Sequence, residues 1–393
     1  MPGQGSRQST LRTSNLALVA KTVCAAARPL SRADVAAATS LARATASRLV
    51  DELVAGGVVA ETEPGSATGR GRPGTPLVPG ARLAALGLQV NAGFLAARVI
   101  DLRGRVVTEA TEYDDFVASD PVPTLTRLSD LAARVCDGIP AGVRLVGAGL
   151  ALPGLVAEET GLLLRAPNLG WSDLKPAEMV EPVAGLTLNV GNEANLAART
   201  IAAVAPGRPG EFADFVYLSG EIGIGGAAVI GGEVMSGRHG WAGEIGHVCV
   251  DPAGPRCRCG ASGCLETFAG RDAILAAAGL SPASTPAELA ELAAGGDKRA
   301  RAALSATARA LALALAGVVN VLDIPTVVLG GHLAHLAELL APEVEAHLGE
   351  RVLSARWAPP RIEPAGPLLA PGATGAAYRE LAGVLADPTP WLG

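Results

Sequence analysis

Between Asn15 and Ala27, apolar residues fall at Leu16, Val19, Ala20 and Val23, the spacing of one helical face. Arg28-Pro29-Leu30 ends that helix. Ser31-Arg32-Ala33-Asp34 then has the form of a capping box, a hydroxyl followed three residues later by a carboxylate. The pattern predicts a short helix to Ala38, a turn at Thr39-Ser40-Leu41, and a third helix from Ala42 to Ala55 burying Leu49, Val50, Leu53 and Val54. Two helices joined by so tight a turn predict a helix-turn-helix. Arg43, Thr45, Ser47 and Arg48, near the start of the third helix, form the polar face such a motif offers to a major groove. A small helical adaptor would have the same three-helix pattern.

Gly56-Gly57 stops the third helix, and Val58-Val59-Ala60-Glu61 begins a strand. A Gly/Pro/Arg loop from Pro64 to Gly74 leads back to Pro76-Leu77-Val78, which completes the layout of a winged module. In that loop Arg70 and Arg72 are spaced to enter a narrow minor groove, although a flexible linker would have similar composition. Past residue 80 the pattern changes. Leu145–Leu150, Leu186–Val190, Phe215–Leu218 and Thr326–Leu329 read as buried strands, alternating with Ala/Leu-rich helices such as Ala300–Leu322. This is α/β organisation.

Net charge is −6, which by itself argues against a nucleic-acid partner. Its distribution argues the other way. Residues 1–80 hold nine Arg and Lys against five acids, a surplus of four that leaves −10 on the rest of the chain. A basic head on an acidic body fits a DNA-binding module joined to something that does not touch DNA. There is no basic-then-apolar leader pattern and no uninterrupted apolar run near 18 residues, so the expectation is a cytoplasmic protein without membrane spans. Of six cysteines, Cys24, Cys136 and Cys249 stand apart, while Cys257, Cys259 and Cys264 cluster ten residues after His247. One imidazole and three thiolates make a complete tetrahedral set for a structural Zn²⁺, with no position left open for catalysis.

The segment Ala242-Gly243-Glu244-Ile245-Gly246-His247, followed by Cys257-Arg258-Cys259-Gly260-Ala261-Ser262-Gly263-Cys264-Leu265-Glu266, resembles the signature of the ROK family of repressors, open reading frames and sugar kinases. The likeness extends to Leu152-Pro153-Gly154, Pro167-Asn168-Leu169-Gly170-Trp171, Asn192-Glu193-Ala194-Asn195, Leu329-Gly330-Gly331 and Gly375-Ala376-Ala377. The N-terminal module is similar to the winged helix of the family's repressor branch. The resemblance implies an α/β chain in which a winged helix-turn-helix (1–80) precedes a two-lobed, actin-like (ribonuclease H-like) sugar-kinase fold. Its first lobe would span 81–195, completed by a C-terminal helix near 372–386, and its second, with the zinc loop, 196–371. It also implies that Asn168, Asn192, Glu193, Glu244, His247 and Glu266 face a sugar in the cleft between lobes. Carboxylates accepting from neighbouring hydroxyls, with Asn and His as fixed donors, suit a pyranose.

Phosphoryl transfer needs a cradle for phosphates, a carboxylate near the metal and a base for the sugar hydroxyl. At each matching position this sequence departs from the kinases it resembles. Their Asp-x-Gly-x-Thr loop is Gln89-Val90-Asn91-Ala92-Gly93 here, without the carboxylate, the glycine or the threonine hydroxyl. The Asp that serves them as base is Glu193, one methylene longer, and a misplacement of about 1 Å costs roughly a hundredfold in rate. Their Gly-Thr-Gly-x-Gly loop is Glu221-Ile222-Gly223-Ile224-Gly225, with a negative charge where phosphates would sit. The reading is a non-enzymatic repressor that binds a sugar without phosphorylating it. It would act on a double-stranded operator as a homodimer or dimer of dimers. The rivals are an ATP-dependent hexose or amino-sugar kinase with a DNA-binding head, and a repressor controlled by a protein partner.

Overall fold

The computed structural model describes residues 4–63, 75–181 and 185–392, with side chains from Thr10 onward. The chain opens with α1 (Gln4–Ala25), which begins eleven residues before the apolar periodicity does. Its first turns are polar in sequence, and they extend a helix whose packed half contains Leu16, Val19 and Val23. Next come α2 (Arg32–Thr39) and α3 (Arg43–Ala55). The predicted box forms at α2: Ser31 Oγ accepts from the Asp34 N–H at 3.2 Å, and the Asp34 carboxylate accepts from the Ser31 N–H at 2.9 Å. Ser40, left-handed at φ 56°, ends α2 and makes the turn into α3. β1 (Val59–Glu61) and β2 (Leu77–Pro79) pair antiparallel at the base of the wing. The wing loop itself, with Arg70 and Arg72, lies outside the described residues.

Two larger sheets follow, and they repeat one topology. β3 (Leu83–Asn91), β4 (Phe94–Asp101) and β5 (Val106–Tyr113) form an antiparallel meander. After α4 (Pro121–Asp137), β6 (Arg144–Leu152) adds parallel to the other edge of β3. The excursion β7 (Leu155–Ala157), β8 (Leu162–Ala166) and β9 (Trp171–Leu174), then α5 (Pro176–Met179), precedes β10 (Leu188–Asn192), which pairs parallel to β6. The order is β10-β6-β3-β4-β5. β3 is buried along its whole length, because helices cover both faces of this sheet.

From β10 the chain enters α6 (Glu193–Ala202) and a small hairpin, β11 (Ala203–Ala205) and β12 (Arg208–Pro209). The second meander is β13 (Phe215–Gly220), β14 (Ile224–Ile230) and β15 (Glu233–Val234). After the metal loop come α7 (Glu266–Ala269), α8 (Arg271–Ala278), α9 (Pro286–Ala294) and α10 (Lys298–Leu322). β16 (Thr326–Gly331) then pairs parallel to β13, α11 (His332–Arg351) follows, and β17 (Arg361–Pro364) pairs parallel to β16. The order β15-β14-β13-β16-β17 mirrors the first sheet strand for strand. By length and composition α10 could cross a membrane, which the absence of an uninterrupted apolar run did not reveal; 61% of its apolar window is buried in the core of the second sheet.

The last helix, α12 (Pro371–Ala386), returns to the first sheet and packs on β3, β6 and α6. Its far side joins a core shared with the N-terminal module. Leu16, Val19, Val23, Val35, Leu49 and Leu53 of the head are continuous with Leu83, Ala85, Ile100 and Leu102 of β3 and β4, and with Leu381 and Leu385 of α12.

Candidate functional site

Each meander contributes its first hairpin turn, and the two turns face one cleft. Asn91 closes the β3–β4 turn, its Oδ1 accepting from the Gly93 N–H at 3.0 Å. That leaves Asn91 Nδ2 to donate to Glu193 Oε1 at 2.6 Å, beside Gln89 Nε2 on the same oxygen at 2.7 Å. Gln89 is fixed in turn by the Ala373 N–H of α12, which donates to its Oε1 at 3.0 Å. Glu193 is the first residue of α6, where the helix dipole favours negative charge. Burial nevertheless pushes its carboxyl up to about 7, and the two carboxamide bonds pull the other way.

The β13–β14 turn carries Glu221. Its carboxyl is also pushed up to about 7, first by burial and then by the neighbouring charge of Glu193, with Arg271 opposing. Its Oε1 lies 2.9 Å from where a Cβ on Gly331 would stand, against the residue that caps α11. The chain's own carboxyl group thus stands beside the N-terminus of α11. In the same turn Gly223 lets Glu266 and Asn168 come close to the backbone, since a Cβ there would stand 2.1 Å from Glu266 Oε2 and push that carboxylate aside.

Asn168, Asn192, Glu193, Glu244, His247 and Glu266 all line this cleft, with Pro153, Gly154 and Ser219. Asn192 caps α6 by accepting from the Asn195 N–H at 3.0 Å, and donates to the Gly154 carbonyl at 2.9 Å. Much of its hydrogen-bonding capacity therefore goes to building the cleft wall. Asn168 donates to Glu266 Oε2 at 3.3 Å and accepts from Arg258 at 3.2 Å. Its loop is held by the Ala118 N–H on the Asn168 carbonyl and by the Trp171 indole on the Ser119 carbonyl. Glu266 also accepts from the Ile224 N–H at 3.3 Å, tying the metal loop to the second turn. Burial raises the Glu244 carboxyl above the ordinary carboxylate range.

The ligand atoms of His247, Cys257, Cys259 and Cys264 all lie within 4.8 Å of one another, a cluster able to hold a metal ion. Cys259 Sγ and Cys264 Sγ are 3.7 Å apart, and Cys257 Sγ is 3.8 Å from His247 Nδ1. The edge of a tetrahedron with metal–sulfur bonds of about 2.3 Å is roughly 3.7 Å, so the donors fit a zinc-sized ion. Nδ1 of His247 faces the thiols, while Nε2 lies 3.8 Å from Glu244 Oε2 on the cleft side. Cys24, Cys136 and Cys249 are not part of the cluster.

In the head, Arg43 and Arg48 are exposed, and Thr45 and Ser47 are half-buried. Arg48 pairs with Glu52 at 2.7 Å, one helical turn on. The sequence reading did not anticipate that Gln89 and Asn91 hold Glu193, or that Arg258 holds Asn168. These partners are 104, 102 and 90 residues apart, and nothing in local spacing signals such pairings.

Comparison with known proteins agrees with this geometry. The ROK family model matches residues 97–381, and the IclR helix-turn-helix domain model matches residues 22–63. The chain is 28% identical over 370 residues to the xylose repressor of Caldicellulosiruptor bescii, covering 90% of this chain and 92% of that one. It is 28% identical over 343 residues to the DNA-binding transcriptional repressor Mlc of Escherichia coli, covering 83% of each. Among solved structures, a ROK family transcriptional regulator described as a homolog of the E. coli Mlc protein superposes with a TM-score of 0.75 at 24% identity, covering 96% of this chain and 99% of that one. The ROK hexokinase of Thermus thermophilus superposes with a TM-score of 0.60 at 28% identity, covering 75% of this chain and 97% of that one. The ROK family match spans well over half of the chain: the chain belongs to the ROK family.

Proposed function

We propose that this protein is a sugar-responsive DNA-binding transcriptional repressor whose kinase-like body binds a sugar without phosphorylating it. One observation carries the reading: the sugar-facing side chains line an intact cleft, while the positions matching the phosphate loops are taken up by the chain's own groups. Gln89 and Asn91 are spent on Glu193, and Glu221 lies against the cap of α11. ATP phosphates would have to displace a carboxyl group and would gain no hydroxyl donor from Ile222.

In this reading Glu193, Glu244 and Glu266 accept from sugar hydroxyls, and Asn168, Asn192 and His247 add directed bonds. Zn²⁺ held by His247, Cys257, Cys259 and Cys264 supplies rigidity to a loop with little apolar content of its own. His247 and Glu266 sit in the cleft on either side of that loop. Arg43, Thr45, Ser47 and Arg48 read the major groove, with Arg70 and Arg72 of the wing assisting in the minor groove. The protein works in the cytoplasm as a homodimer or dimer of dimers on paired half-sites. Sugar favours one lobe arrangement, and its differential affinity for the two arrangements sets how far DNA is released.

The test is thermal unfolding of the zinc-loaded protein across mono- and disaccharides, with and without Mg-ATP. A sugar at a hundred times its dissociation constant adds about 2.7 kcal/mol. The expected result is a rise with one sugar class, no added effect of Mg-ATP, and weaker operator binding in the presence of that sugar. Sugar-dependent ADP formation abolished by Glu193→Gln would make the protein a kinase instead. No rise with any sugar, with operator binding intact, would transfer control to a protein partner.

A further inference from the structure

A second cleft, away from the sugar site, lies where the head meets the body. It is an open recess of about 500 Å³ between the end of α1, strand β2, the β4–β5 turn and the β11–β12 hairpin. Four guanidinium groups line it, those of Arg28, Arg103, Arg105 and Arg208. None of the four makes an ion pair among the described residues. The nearby carboxylate of Asp101 is already used, its Oδ1 accepting from the Arg103 and Arg105 backbone N–H groups at 2.8 and 2.9 Å. Those bonds fix the turn that presents both side chains. Arg103 is further anchored by its Nε, which donates to the Pro79 carbonyl at 2.8 Å and leaves its terminal nitrogens free to bind. Val23, Leu77 and Ala205, all buried, form the floor behind these cations.

We infer that this cleft is a binding site for a small phosphorylated metabolite. Guanidinium forks lining one recess, none of them in an ion pair among the described residues, match the oxygens of a phosphate ester, and charge-assisted bonds of this kind are about twice as strong as neutral ones. The volume is on the scale of a small-molecule site, and the mainly polar, cationic lining suits a phosphate group. A concave recess at a joint does not admit the convex backbone of a DNA duplex. Because the cations come from the head at Arg28 and from the body at Arg103, Arg105 and Arg208, an anion held among them bridges the two. The site stands on its own geometry and does not depend on the sugar reading of the other cleft.

The test is calorimetric titration of full-length, zinc-loaded protein with inorganic pyrophosphate, beside the double variant Arg105→Ala/Arg208→Ala. Both side chains are exposed, so folding should be retained, as the melting temperature and zinc content will show. The expected result is saturable binding of one pyrophosphate per chain, weakened about tenfold or more in the double variant and partly recovered in Arg105→Lys/Arg208→Lys. Sugar-induced stabilisation should be the same in all three proteins. Absence of saturable binding to the wild-type chain, or equal affinity in the double variant, would overturn the proposal. So would a double variant that keeps its pyrophosphate affinity and loses operator affinity, since the arginines would then belong to the DNA backbone.

Discussion

Two carboxyl groups dominate the chemistry of the cleft, and both hold protons more tightly than a free side chain does. Glu193 and Glu221 are each raised from 4.5 to about 7, chiefly by burial. Arg271 is the cation that opposes this for Glu221, and the buried Tyr217 hydroxyl stays protonated beside both. A group that binds its proton more tightly when folded stabilises the fold fully below its unfolded pKa, and that contribution is lost as pH rises through the folded value. The protein should therefore lose stability between about pH 4.5 and 7. Glu193→Gln and Glu221→Gln remove the titrating group while keeping its shape. Each should flatten that decline and add on the order of 2 kcal/mol near pH 8. Urea unfolding of the two variants and the parent across this range is the measurement; parallel curves would mean that these carboxyls are ionised and solvated in the native state.

At the scale of elements, the metal loop and the recognition helix make separate demands. Cys257→Ser removes one of four donors from a segment whose other ties are a few backbone bonds and the Glu266 contacts. That variant should lose most of its zinc and weaken sugar-induced stabilisation more than operator binding, measured by metal content and melting temperature. Full zinc retention would remove Cys257 from the ligand set. In α3, Arg43→Ala and Arg48→Ala should each weaken operator binding by about 1–3 kcal/mol and relax base preference at one operator position, measured by binding to single-base operator variants. Loss that is uniform across all sequences, with a salt-dependence slope lowered by about 1, would make them phosphate contacts instead. These elements were unequally legible in the sequence. The box at Ser31 and Asp34 and the quartet of His247, Cys257, Cys259 and Cys264 are local patterns, and local patterns are written in spacing. The early half of α1 was not legible, because its sequence has no apolar stripe that periodicity could reveal. Nor were the bonds from Gln89 and Asn91 to Glu193, which exist only because the end of β3 and the start of α6, about a hundred residues apart, meet in the fold.

The whole molecule departs most from the sequence pattern at residue 80, where the chain reads as a head joined to a body by a wing. In the structure one core joins them beside the cleft at their joint. Leu16, Leu49 and Leu53 share one core with Leu83, Ile100, Leu381 and Leu385, each 2% exposed or less. Lobe movements that reorient the first sheet must therefore carry the helix-turn-helix with them, which is how a cleft in the body can alter the placement of α3. Two modules built on one core unfold together. Calorimetric melting should show no separate low-temperature transition for the head. Leu381→Ala, on α12 and outside the head, should cost about 2–5 kcal/mol and lower the melting of the head signal and the first-sheet signal alike. A head that melts on its own while the body stays folded would break this coupling, and a sugar in the cleft would then have no rigid path to the DNA-facing helix.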